Sequence, residues 1–148
     1  MTARDEELGF HWAAACAAAG LGDVKVIETR GGPREAFGNR LATVRWGRVL
    51  LRFVRDRGQD LLDLAPADVP SEWFDIDDVR RALGWATPPE AAASGVLPLP
   101  LVLEELVRIR AQLEDRLSAS QLPMTLAALR AVREARAAAA LARLQRRR

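Results

Sequence analysis

The sequence predicts a single α+β domain built on a four-stranded antiparallel meander. An N-terminal helix precedes the sheet; a short helix and a C-terminal αα-hairpin follow it. Three observations carry this prediction. Short alternating runs of apolar and polar residues fill the stretch from Val24 to Leu64, and tight returns separate them. A strongly capped apolar turn begins at Asp75. Two long leucine- and alanine-rich segments occupy the last third, beyond a proline-rich stretch. At 148 residues, 49% hydrophobic and 28% charged, the chain has the size and composition of one folded domain with an ordinary core.

In chain order, Thr2 can cap a helix over residues 3–19, with Leu8, Trp12, Ala15 or Cys16, and Ala19 on one face, and Gly20-Leu21-Gly22 stops it. Strands follow at Val24–Thr29, Leu41–Trp46, Arg48–Arg55 and Asp60–Leu64. Gly47 turns the second into the third, and Asp56-Arg57-Gly58-Gln59 is a hairpin signal between the third and fourth. Such short returns favour antiparallel neighbours. In the second strand Ala42, Val44 and Trp46 share one face; Val49, Leu51 and Phe53 do the same in the third. Asp75 reads as the N-cap of the short helix and Asp78 as its capping-box partner. Phe74 and Val79 form a hydrophobic staple, and Gly84 closes the helix.

Three sections result: an α+β core over residues 1–85, a Pro/Ala linker over 86–100, and a helical hairpin over 101–148. The first helix of the hairpin carries the stripe Leu103, Leu106, Ile109 or Arg110, Leu113 and Leu117. In the second, Leu122, Leu126, Leu129 and Leu144 share a side opposite Ala127, Ala131, Ala135, Ala138 and Ala142. One partner helix covers only one of these sides, so a homodimer through the C-terminal helices is expected.

Charge is segregated along the chain. The formal net charge is +2, with 22 basic and 20 acidic residues. Residues 59–105 carry ten acidic side chains against two basic ones, net −8. Residues 23–58 carry nine basic against four acidic, net +5, and residues 121–148 seven against one, net +6. The pI near 9.4 reflects a near absence of groups titrating between pH 7 and 10 more than a basic surface.

Few residues offer chemistry. His11 and Cys16 are single, and five positions apart on a helix they point about 140° from each other, so they make no nucleophile–base pair there. One histidine and one cysteine cannot close a zinc site. Asp75, Asp77 and Asp78, with Asp60 and Asp63, could approach a divalent cation, but capping already accounts for Asp75 and Asp78. No catalytic residue, metal or cofactor is expected. A lone cysteine, the absence of a long apolar run and the lack of a signal-peptide pattern lead us to expect a cytoplasmic protein without a membrane span.

The stretch Val49 to Pro66, a charged hairpin ending in the strand Asp60-Leu61-Leu62-Asp63-Leu64, precedes Glu72-Trp73-Phe74-Asp75-Ile76-Asp77-Asp78-Val79. This combination resembles small bacterial immunity proteins of polymorphic toxin systems over about a third of the chain. The resemblance implies a non-catalytic protein-binding module, a toxin-neutralising immunity protein or adaptor, whose partner is another protein such as a toxin domain. Candidate binding residues are Trp73, Phe74, Glu72, Asp60, Asp63 and Asp77, with Trp73 the natural anchor in its acidic surroundings. The alternative is nucleic-acid binding through the basic strands and Arg130, Arg133, Arg136, Arg143, Arg146, Arg147 and Arg148. Its small net charge and the lack of a helix-turn-helix or stacking signature make nucleic acid the weaker expectation. An enzyme working with Asp and Arg side chains ranks third.

Overall fold

A computed structural model describes residues 12, 14–22, 24–31, 40–56, 59–85 and 99–148. The strands are β1 (Lys25–Gly31), β2 (Arg40–Trp46), β3 (Val49–Asp56), β4 (Gln59–Pro66) and β5 (Phe74–Asp75). The helices are α1 (Ile76–Leu83), α2 (Leu99–Arg116) and α3 (Leu122–Arg146), and residues 14–18 are helical ahead of the sheet. Much of the expected first helix, His11, Arg57-Gly58 and most of the 86–100 linker lie outside the described residues.

The fold is α+β, and the sheet is an antiparallel meander in the order β1-β2-β3-β4-β5. It has one strand more than the sequence predicts. Phe74 and Asp75 pair with Leu64 and Asp63, a ladder too short to leave an alternating pattern. β4 also runs two residues further than predicted, through Pro66. Ala67 donates its N–H to the Arg48 carbonyl at 2.8 Å, which makes the adjacent Val49–Pro66 pair a non-hydrogen-bonded one. The missing N–H of Pro66 therefore takes no bond from that ladder.

The predicted alternation fixes the inner face. Ala42 opposes Phe53, Val44 opposes Leu51 and Trp46 opposes Val49, and Leu62 and Leu64 continue these rows into β4. All are buried, and the α2 stripe Val102, Leu103, Leu106, Ile109 and Leu113 belongs to the same core. Each Val, Leu, Ile or Phe among them contributes roughly 1.5–3 kcal/mol by leaving water. Trp12 stacks on Phe53 with ring centroids 4.7 Å apart, which places the N-terminal helical segment on the same face. Trp46 satisfies its buried indole N–H on the Leu21 carbonyl at 3.0 Å. In β1 the register shifts between Val26 and Glu28, a bulge that leaves Ile27 51% exposed.

The β2–β3 turn favours glycine at position 47. Its φ is +59°, and a side chain there would run into the Glu114 carboxylate, which accepts a hydrogen bond from the Arg48 N–H at 3.2 Å. Just past Glu114, α2 and α3 are joined by residues 117–121, where the Thr125 hydroxyl donates to the Arg116 carbonyl at 2.7 Å. Beyond this junction α3 packs chiefly along α1 rather than α2. Its Leu126 and Leu129 enter the core, whereas Leu144, on the same side by spacing, is 62% exposed because α3 outruns the body. Among the described residues no helix is long and apolar enough to cross a membrane.

Candidate protein-binding site

The acidic segment around β5 is held by arginines of the same chain. Glu72 accepts hydrogen bonds from Arg130 Nε at 3.0 Å and Nη2 at 2.6 Å, and from Arg133 Nη2 at 3.3 Å. Its bonds to Arg130, with those to Arg133, hold the Glu72 carboxyl below its usual range. Trp73 is half-buried, with the Arg52 guanidinium 4.3 Å from its ring centre. Arg52 in turn holds Asp63, its cross-strand neighbour, at 2.7 Å. Phe74 is only 1% exposed and lies in the core beneath the Arg133 guanidinium.

The structure thus brings Glu72, Trp73 and Phe74 together and places Asp63 near them through Arg52. Asp77 stands apart and half-exposed, bonded to Arg80 Nη1 at 2.5 Å. Asp60 lies opposite Arg55 in the β3–β4 ladder, and its side chain is outside the described residues.

Asp75, Asp77 and Asp78 do not converge on a common point of binding. Asp75 caps α1, accepting the Asp77 N–H at 2.8 Å, and its burial raises the Asp75 pKa despite that bond. Phe74 and Val79, the predicted staple, are both buried. The reciprocal half of the capping box is absent: Asp78 is fully buried and neither of its carboxylate oxygens accepts a well-directed hydrogen bond. Its charge is met instead by Arg136, whose Nη2 lies 2.9 Å from Oδ2. Gly84 ends α1 in the left-handed conformation at φ +72°, as predicted.

The seven arginines considered for nucleic acid fall into two groups. Arg130, Arg133 and Arg136, spaced by three, form a ladder on one side of α3 that grips Glu72 and Asp78. Arg143, Arg146, Arg147 and Arg148 make no ion pair among the described residues. The sequence leads one to expect some of these arginines to be taken up by Asp and Glu neighbours, but not that Arg130, Arg133 and Arg136 would be the ones, although their three-residue spacing is visible. It also missed the buried pair Arg80–Glu105, with Nη2–Oε2 at 2.6 Å, which ties α1 to α2.

Beside the ladder, α1 and α3 bound an open cleft of about 380 Å³. Val132, Ala135, Ala139 and Ala140 line its apolar part, and Arg81, Arg136 and Arg143 its rim. Arg81 and Arg143 have no acidic partner among the described residues, and Arg136 already serves Asp78. Small side chains let another backbone approach, and two uncommitted guanidiniums offer forked donors to carboxylates. Cys16 supplies no nucleophile: it is fully buried, and burial pushes its thiol up to about 11. No protein-family model, curated protein or solved structure matches this chain.

Proposed function

We propose that the protein is a non-catalytic protein-binding module, cytoplasmic in location, that receives an acidic amphipathic segment of its partner in the α1–α3 cleft. One observation carries this reading: Arg81 and Arg143 flank an alanine-lined cleft with no acidic partner among the described residues. A segment with apolar residues toward Ala135 and Ala139 and carboxylates toward the arginines would complement it in shape and charge. This reading moves the contact surface away from Glu72, Asp63 and Phe74, which serve the fold, and onto the basic side of α3. Within this class, a toxin-neutralising immunity protein is the role favoured by the hairpin and capped-helix resemblance, and an acidic toxin domain is then the partner.

The test is fluorescence anisotropy with a labelled Glu/Leu amphipathic peptide, compared with its Lys/Leu counterpart. We expect micromolar binding of the acidic peptide alone, weakened at least about tenfold by R81E/R143E, a loss of about 1.4 kcal/mol. Far-UV circular dichroism should be unchanged, since both side chains are exposed. Equal binding by wild type and R81E/R143E would overturn the assignment of the cleft. Sub-micromolar duplex DNA binding at physiological salt would replace the protein-binding reading with the nucleic-acid one.

A further inference from the structure

Beyond Arg133, α3 meets the body only along the side that carries Arg136 and the cleft, and from Glu134 to Arg148 every residue is exposed except the partly covered Ala142. On this stretch Glu134, Ala137, Leu141 and Gln145 recur at spacings of three, four and four, so they share one face. Arg148, past the helix end at Arg146, follows one turn on, its N–H bonded to the Gln145 carbonyl at 3.4 Å. Ala138 and Leu144 flank that stripe, and Leu141 and Leu144 are 58% and 62% exposed. By helix geometry the stripe lies roughly 170° around α3 from the residues lining the cleft.

We propose that a second copy of this chain docks on this stripe, with the two α3 helices antiparallel and the two-fold axis at Leu141. The sequence of the stripe is complementary to itself in that arrangement alone. Positions that pair across such an axis sum to 282, so Glu134 of one copy faces Arg148 of the other, and Ala138 faces Leu144. Leu141 meets its own counterpart. Glu134 is the only acidic residue of α3, and Arg148, one turn beyond Gln145, is seven residues from Leu141 as Glu134 is. A parallel arrangement would set Glu134 against Glu134 and Arg148 against Arg148. Antiparallel packing also opposes the two helix dipoles. Arg143, Arg146 and Arg147 lie off the stripe, which keeps them from confronting one another at its centre. This stretch is roughly 20 Å long. An interface of that length falls at the small end of specific protein contacts, so the dimer is a weak one.

Sedimentation velocity of the full chain from about 1 to 300 μM tests this, with the expected signal a shift from the 16.3 kDa monomer toward twice that mass. E134R and R148E should each abolish the shift, and the charge-swapped double variant E134R/R148E should restore it. Both positions are exposed, and circular dichroism should confirm unaltered folding. L141E should also abolish association. A monomer at every concentration would overturn the proposal. So would a dimer insensitive to L141E, or a failure of the double variant to recover what the single variants lose. Because the stripe and the cleft lie on different faces of α3, R81E/R143E should leave the shift intact; dimer formation and peptide binding can therefore fail independently.

Discussion

Replacing Arg80 with methionine should be among the most destabilising single changes in this protein. The Arg80 side chain is 2% exposed and that of Glu105 7%. Arg80 Nε lies 3.0 and 3.2 Å from the two Glu105 oxygens, and Nη2 lies 2.6 Å from Oε2. Burial draws the Arg80 pKa down, but Glu105 and then Asp77 more than compensate, so it ends above its usual value. Methionine leaves the Glu105 carboxylate buried without its counter-charge, which costs about 3–5 kcal/mol. The contact with half-exposed Asp77 adds at most about 1 kcal/mol. For a domain of this size the melting midpoint should fall by about 6–20 °C. E105L should cost less than R80M, because Arg80 keeps Asp77. The double variant R80M/E105L removes both charges and should recover most of the loss, ending near wild type or above it. Urea unfolding of all four proteins gives the coupling energy. An R80M loss below about 1 kcal/mol, or a double variant no better than the sum of the singles, would refute the claim that this pair is a desolvated unit.

Other expectations follow from the same geometry. Asp75→Ala should cost about 0.5–2 kcal/mol through the lost N-cap bond to Asp77, and Asp75→Asn less; equal melting midpoints for wild type and D75A would refute it. Cys16 should resist a thiol reagent at pH 8 in the native protein and react fully in denaturant, and rapid native labelling would show that its burial is wrong. Glu72 has a lowered folded pKa, so its contribution is present above its ordinary value of 4.5 and is lost as the pH falls through the folded value. Stability should therefore decline less steeply between about pH 5 and 3 in E72Q than in wild type, and parallel pH profiles would count against the Arg130 clamp.

The strands were legible because the sheet has one clearly buried face. Ala42, Val44, Trp46, Val49, Leu51 and Phe53 could be assigned to that face from period-two alternation alone. The cap and staple of α1 were legible because they are local. β5 was not, since two residues carry no period and its pairing depends on where the chain returns after β4. Asp78 misled for a related reason. Its position matches a capping box, but the approach of α3 brings Arg136 to its carboxylate, and the short Asp side chain makes no well-directed bond of its own. Apart from Asp77, the partners of Glu72, Asp78 and Arg80 are 25 to 61 residues distant in sequence, where no local rule reaches. Of the sequence-based candidates, Phe74 and Glu72 drew notice for properties that the fold itself consumes. The Arg81–Arg143 cleft had no sequence signature, because two isolated arginines on different helices are unremarkable until α1 and α3 meet.

Charge segregation in the sequence has two separable consequences in the fold. The acidic segment and the basic helix are first of all each other's partners: Arg130, Arg133 and Arg136 meet Glu72 and Asp78, and Arg52 meets Asp63. Segment totals of −8 and +6 therefore overstate what either surface offers to another molecule. What α3 leaves over is Arg143, Arg146, Arg147 and Arg148, and these do not form a single row. Arg143 and Arg146 lie on α3 about 60° apart, and Arg147 and Arg148 follow beyond its end at the C-terminal cap. A duplex neutralised by these residues could reach only some of them at once, giving a shallow salt dependence and weak binding at physiological ionic strength. Arg143 alone is set beside an apolar cleft with Arg81 opposite, where a carboxylate and an apolar side chain of one partner segment can be met together. On the protein-binding reading proposed above, that placement of Arg143 beside Arg81 is the part of the residual charge the partner would meet.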